Sequence, residues 1–113
     1  VPQTVFWLLN SDEQVVGMIR MRHCLAESTR INGGHIGFFI HPSYRRKGYG
    51  KQALTLALVE LKKLGEPKAL VTVYPENIAS IRIVEANDGQ LEDTIFDPKT
   101  EHEINRYWIK LDP

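Results

Sequence analysis

From residue 35 to residue 74 the chain reads as an apolar strand, a basic turn, an amphipathic helix and a second apolar strand. The first strand, 35–41, ends at Pro42, and His41 is held extended because it precedes a proline. The helix, about 49–64, carries Leu54, Ala57, Leu58, Leu61 and Leu64 on one stripe. Lys62 and Lys63 suit its C-terminal end, Gly65 suits the position after it, and Pro67 blocks its continuation. Residues 69–74 (ALVTVY) are almost wholly apolar, as in a strand covered on both faces, and Pro75 ends them. A strand–helix–strand unit of this length implies a right-handed crossover between two parallel strands.

Residues 4–9 (TVFWLL) and 14–25 (QVVGMIRMRHCL) read as two strands of a hairpin around the polar turn 10–13. Alternation on the second sets Val16, Met18, Arg20, Arg22 and Cys24 against Val15, Gly17, Ile19, Met21 and His23. Residues 26–34 form a loop ending in a glycine pair. Asn77 caps a short helix at 78–86, and Asn87-Asp88-Gly89 stops it. Strands at 90–96 and 103–111 flank the turn 97–100. The expected fold is a single α/β (α+β) domain over 1–113, in the order β-β-β-α-β-α-β-β, with antiparallel strands and one parallel crossover. Where pairing changes from antiparallel to parallel, neighbouring strands part at their C-terminal ends, and ligands favour such a crevice.

The basic turn opens onto that point. Arg45, Arg46 and Lys47 stand immediately before Gly48-Tyr49-Gly50, where the helix begins. Cations there oppose the helix dipole. With the exposed N–H groups they make an anion site, read here as a pyrophosphate cradle. The bland readings are a solvated charge run and a simple turn; the dipole and the immediate helix weigh against them. Over the whole chain charge is balanced, with 14 basic and 14 acidic residues, which counts against a nucleic-acid-binding domain. Gly48-x-Gly50-x-x-Ala53 also matches a dinucleotide fingerprint with Glu76 as ribose ligand, but residues 42–47 separate the strand from the first glycine. A P-loop is excluded, because Gln52 follows Lys51 and Arg45 occupies the required first glycine.

The one cysteine, Cys24, rules out an intrachain disulfide and suits a reducing, cytoplasmic setting. Cys24 reads as core or interface, since His23 points to the opposite face and cannot activate it. The histidines at 23, 35, 41 and 102 show no metal-ligand spacing. No apolar run is long enough to span a membrane.

Arg45-Arg46-Lys47-Gly48-Tyr49-Gly50 resembles the Arg/Gln-x-x-Gly-x-Gly/Ala signature of the GNAT superfamily of acyl-CoA-dependent N-acetyltransferases. Asn77-Ile78-Ala79-Ser80 is similar to that family's Asn-x-x-Ala/Ser motif, and the element order agrees over nearly the whole chain. The likeness is strongest to an uncharacterised bacterial group of predicted acetyltransferases. The resemblance implies acetyl-CoA as co-substrate, with no metal. The pyrophosphate would rest on Arg45, Arg46, Lys47, Gly48, Tyr49, Gly50 and Lys51. The pantetheine would lie along Phe39, Ile40 and His41, with Asn77 and Ser80 flanking it or the nucleotide end. An amine, from a small molecule or a peptide, would attack the thioester directly, and a third-strand N–H would stabilise the oxyanion.

Two departures bear on activity. Many family members carry a tyrosine seven residues after the asparagine, which protonates the leaving thiolate; here the residue is Val84. The family's first strand and following helices, which help to build the acceptor pocket, are expected to be missing. Apolar sheet surface around Phe6 or Trp7 is then expected to face a second copy, giving a homodimer. For the proton of the attacking ammonium, His35 and Glu27 are the residues to consider, beside transfer through water, and Tyr74 at the end of the fourth strand is the candidate acid. The bland reading of His35 is a local backbone bond, and that of Asn77 and Ser80 is a helix cap. The alternative function is a non-catalytic CoA-binding or interaction module of the same fold.

Overall fold

The computed structural model describes residues 3–25, 33–45 and 47–111. Its elements follow the expected order: β1 (Gln3–Leu9), β2 (Val15–Arg22), β3 (Ile36–Ile40), a 3-10 turn (Pro42–Tyr44), α1 (Tyr49–Lys63), β4 (Lys68–Val73), α2 (Ile78–Ala86), β5 (Gln90–Asp97) and β6 (His102–Lys110). The strands form two three-stranded antiparallel sheets, β1-β2-β3 and β4-β6-β5.

The two sheets meet at one point. His35 N–H donates to Leu70 O (2.8 Å), and Leu70 N–H donates back to His35 Nδ1 (2.9 Å). On its other side His35 O accepts from Arg22 N–H (2.7 Å). Beyond this pin β3 and β4 form no ladder. Residues 36–38 and 71–74 line one cavity in step, so the strands run the same way while parting. The expected parallel pair is thus reduced to one backbone bond and one imidazole, and the backbone groups beyond it are left for something other than a strand.

The core lies between the inner sheet faces and α1. Ile19, Met21, Ile36 and Ile40 meet Leu54, Ala57, Leu58 and Leu61 there. Leu64, at the end of the expected stripe, is half exposed because α1 ends at Lys63. Ala69, Leu70 and Val71 are fully buried, as a strand covered on both faces requires. The two helices touch where α1 has no side chain: a Cβ on Gly50 would lie 2.6 Å from Ile83 Cδ1.

The outer face of the first sheet is uneven. One row, Trp7–Met18–Phe39, is apolar, with Trp7 66% exposed. The next, Val5–Arg20–Gly37, begins a basic end that continues with Arg22. Phe6 turns inward and packs on the core, so the exposed aromatic is Trp7. Cys24 is exposed, which overturns the core half of its core-or-interface reading, because β2 ends at Arg22 before reaching it. His23 Nε2 lies 2.7 Å from Thr4 Oγ1. Among the described residues no helix is long and apolar enough to cross a membrane.

Candidate functional site

The site is assembled from the exit of β3 and the starts of both helices. After Ile40 the chain tightens into the proline turn, where His41 Nδ1 accepts from Ser43 N–H (3.2 Å). Arg45 folds back, its Nε donating to Ile40 O (2.9 Å) and its guanidinium lying over the Phe39 ring at 5.6 Å. Lys47 Nζ lies over the Tyr44 ring at 5.8 Å. Gly48 then takes a left-handed conformation, φ 84° and ψ 2°, which any other residue adopts only under strain. A Cβ there would meet nothing within 4 Å, so the glycine serves the backbone turn and not packing.

The first intrahelical bond of α1 is Gln52 N–H to Gly48 O (3.1 Å). The N–H groups of Tyr49, Gly50 and Lys51 therefore have no carbonyl one turn back. No side chain caps them, and the first turn holds no acid. At the facing helix, Asn77 Oδ1 accepts from Ser80 N–H (3.2 Å), which fixes the start of α2.

A groove of about 700 Å³ runs between these elements, lined by Phe38, Phe39, Ile40, Tyr44, Arg45, Gly48, Tyr49, Gly50 and Lys51 on one side and by Asn77, Ala79, Ser80, Arg82 and Ile83 of the α2 side on the other. That volume is in the usual range for a site holding a small organic ligand. A second cavity of about 180 Å³ fills the gap between β3 and β4 and includes Gly37, Thr72, Tyr74 and Ile104. The two share Phe38, Asn77 and Ser80, so one path leads from the helix end into the gap. His41 N–H donates to Val16 O (2.8 Å). By the alternation of an antiparallel ladder, Phe38 and Ile40 then turn their backbone groups away from β2, toward this path.

Of the sequence-predicted residues, Phe39, Ile40, Arg45, Gly48, Tyr49, Gly50, Lys51, Asn77 and Ser80 line the groove. His41 and Lys47 stand beside it, each engaged with Tyr44. Arg46 and Glu27 fall outside the described residues. Tyr74 lines the inner cavity, its ring 5.2 Å from that of His102. His35 lines neither cavity. It is 3% exposed at the closed end, its Nδ1 held by Leu70 N–H and its Nε2 3.9 Å from Glu66 Oε2. Gly50 lines the groove and also makes room for Ile83 of α2. Val84 is fully buried and lines neither cavity. The sequence reading missed Arg82, a cation facing the groove from α2.

The Acetyltransferase (GNAT) family model matches residues 1–88. No curated protein matches the chain. Solved structures do. An inferred acetyltransferase, yncA from Salmonella typhimurium with its cofactor acetyl-CoA, aligns at a TM-score of 0.69 and 17% identity, over 87% of this chain and 59% of its own. A mutant of the spermidine N-acetyltransferase SpeG from Vibrio cholerae gives 0.74 and 18%, over 96% and 66%. An inferred acetyltransferase from Acinetobacter baylyi gives 0.75 and 17%, over 96% and 63%. The chain thus spans about three fifths to two thirds of the length of these structures. At these identities they bear on the fold, while the family match covers well over half of the sequence. The chain belongs to the GNAT acetyltransferase family.

Proposed function

We propose that the chain binds acetyl-CoA in the groove and directs its acetyl group to a primary amine. The observation that carries this is the continuous path from an uncapped, acid-free helix start into the gap between β3 and β4. Acetyl-CoA supplies an activated thioester. The N–H groups of Tyr49, Gly50 and Lys51, with Arg45, Lys51 and Arg82, offer an anion site suited to its phosphates. The outward backbone of Phe38 and Ile40 offers pantetheine the hydrogen bonds of a missing strand. An N–H of β3 then stabilises the oxygen that gains charge as the amine attacks. Tyr74, which lines the inner cavity, is the residue assigned here to give a proton to the departing thiolate. His35, with Nδ1 already accepting a backbone bond, serves better as the pin of the two sheets than as a base.

Calorimetric titration with acetyl-CoA, CoA and NADH tests the reading. Binding of the first two and not NADH is expected; equal binding of NADH, or binding of none, refutes it. A non-catalytic CoA-binding module is favoured by one observation, the absence of a hydroxyl at buried Val84. Release of free thiol in the presence of an amine separates the two. We further propose that the apolar end of the outer sheet face, around Trp7 and Leu9, pairs with a second copy.

A further inference from the structure

Gly37 and Thr72 line the inner cavity, and Gly37 pairs with Arg20 across the first sheet. Two arginines stand there. Arg20 and Arg22 project from the same face of β2, two residues apart. The guanidinium of Arg20 lies directly over Gly37: a Cβ on that glycine would fall 2.3 Å from Nη2. Its Nη2 donates to Gly33 O (3.2 Å), and Gly33 N–H donates on to Thr72 Oγ1 (2.8 Å). Arg22 Nη1 donates to Gly34 O (3.0 Å). The Arg20 guanidinium thus lies against a residue that lines the cavity, with Arg22 beside it, and the bonds that hold the two side chains go to backbone carbonyls.

Among the described residues neither forms an ion pair. Arg20 Nη1 is buried without an acceptor. Burial and the charge of Arg22 both push the Arg20 guanidinium below its ordinary range. Arg106, on the outer face of the second sheet, shows the contrast. Asp93 grips it from Oδ1 at 2.7 Å and Glu92 lies 3.2 Å away, and its pKa is raised. A half-buried pair of like charges with no counter-ion among the described residues, beside a cavity, has the character of a site waiting for an anion.

We propose that the acceptor amine also carries a carboxylate, and that Arg20 and Arg22 hold it. This rests on the acetyl-transfer reading above. The reacting carbonyl would lie by Phe38, one residue along β3 from Gly37, or roughly 3.3 Å. Amine and carboxylate are then separated by about one to two strand residues, ~3–7 Å, the span of an α- or β-amino acid. A polyamine would bring cations against two arginines that no acid among the described residues compensates, so the proposed acceptor class differs from that named for the spermidine N-acetyltransferase of like fold.

The test is thiol release from acetyl-CoA with the standard amino acids, their carboxamides and spermidine as acceptors. An amino acid favoured over its own carboxamide by about tenfold or more in kcat/KM is expected, with spermidine poorer still. Arg20→Gln should raise KM for that amino acid by a similar factor, and Arg20→Lys should recover part of it. A carboxamide or spermidine used as well as the amino acid overturns the proposal and leaves acetyl transfer standing. If acetyl-CoA binds but no amine reacts, saturation-transfer NMR on the CoA-loaded chain decides. A saturation-transfer signal from an amino acid that disappears in Arg20→Gln supports the site; no signal, or one that survives the change, overturns it. Failure to bind acetyl-CoA at all overturns the parent reading, and this one with it.

Discussion

Gly48 and Gly65 allow the phosphate site to be tested apart from the fold. Both hold a left-handed backbone, φ 84° before α1 and φ 91° after it, and at both a Cβ would meet nothing within 4 Å. A leucine at either position therefore costs backbone strain and no clash, about 1–2 kcal/mol. For a domain of this size, each kcal/mol lowers Tm by roughly 4–8 °C. The two variants should melt alike. They should not bind alike, because Gly48 lines the groove and Gly65 does not. A leucine at 48 stands where phosphate would meet the N–H groups of Tyr49, Gly50 and Lys51. Charge-assisted hydrogen bonds contribute about 1.5–3 kcal/mol each, so losing two removes roughly 3 kcal/mol or more. That is on the order of a hundredfold in Kd. Strain alone, if all of it fell on the bound state, accounts for at most about thirtyfold, and Gly65→Leu measures it. Calorimetric titration with CoA and thermal melts of both variants complete the comparison. Equal affinities for CoA at equal melting temperatures would refute the cradle.

Two further outcomes are expected. His35→Ala deprives buried Leu70 N–H of its acceptor, so stability should fall by about 1–3 kcal/mol and Leu70 should lose protection in hydrogen exchange; unchanged protection would mean that the imidazole does not pin the sheets. Light scattering at micromolar concentration should show a dimer that Trp7→Arg converts to monomer, and a monomeric wild-type chain would sink the pairing.

What could be read from the sequence was what neighbours in the chain decide. Pro42, Gly48 and the apolar spacing of Leu54, Leu58 and Leu61 mark α1 because each acts within a turn or two of itself. Asn77 marks α2 for the same reason, and that helix has the expected bounds of Ile78–Ala86. The gap between the sheets was less legible. Composition makes β4 a buried strand but does not say how far it stays with β3, and the pin depends on one histidine meeting a backbone 35 residues away. That Gly50 also makes room for Ile83 could not be read from the sequence, because only the fold brings α2 against it. Arg82 had a signal that went unused. Ile78, Ala79, Arg82 and Ile83 recur at the spacing of one helical face, the face that lines the groove with Asn77.

Position 84 shows why a motif departure needs its surroundings. The family's tyrosine would offer a hydroxyl to the departing thiolate, and the sequence alone makes its absence look like lost chemistry. In this fold Val84 is wholly buried, and its Cγ1 stands 2.4 Å from where a Cβ on Gly89 would be. The chain turns back so tightly after α2 that Gly89 N–H bonds to Val84 O at 3.0 Å. A residue so enclosed could gain a ring only by displacing core, since overpacking costs about 1–3 kcal/mol even for extra methylenes. In the proposed reaction the proton for the thiolate would come instead from water or from a residue that lines the inner cavity, which Val84 does not. Tyr74 stands there at the end of β4, where the strand has already parted from β3, and it owes its place to the same divergence that opens the cavity.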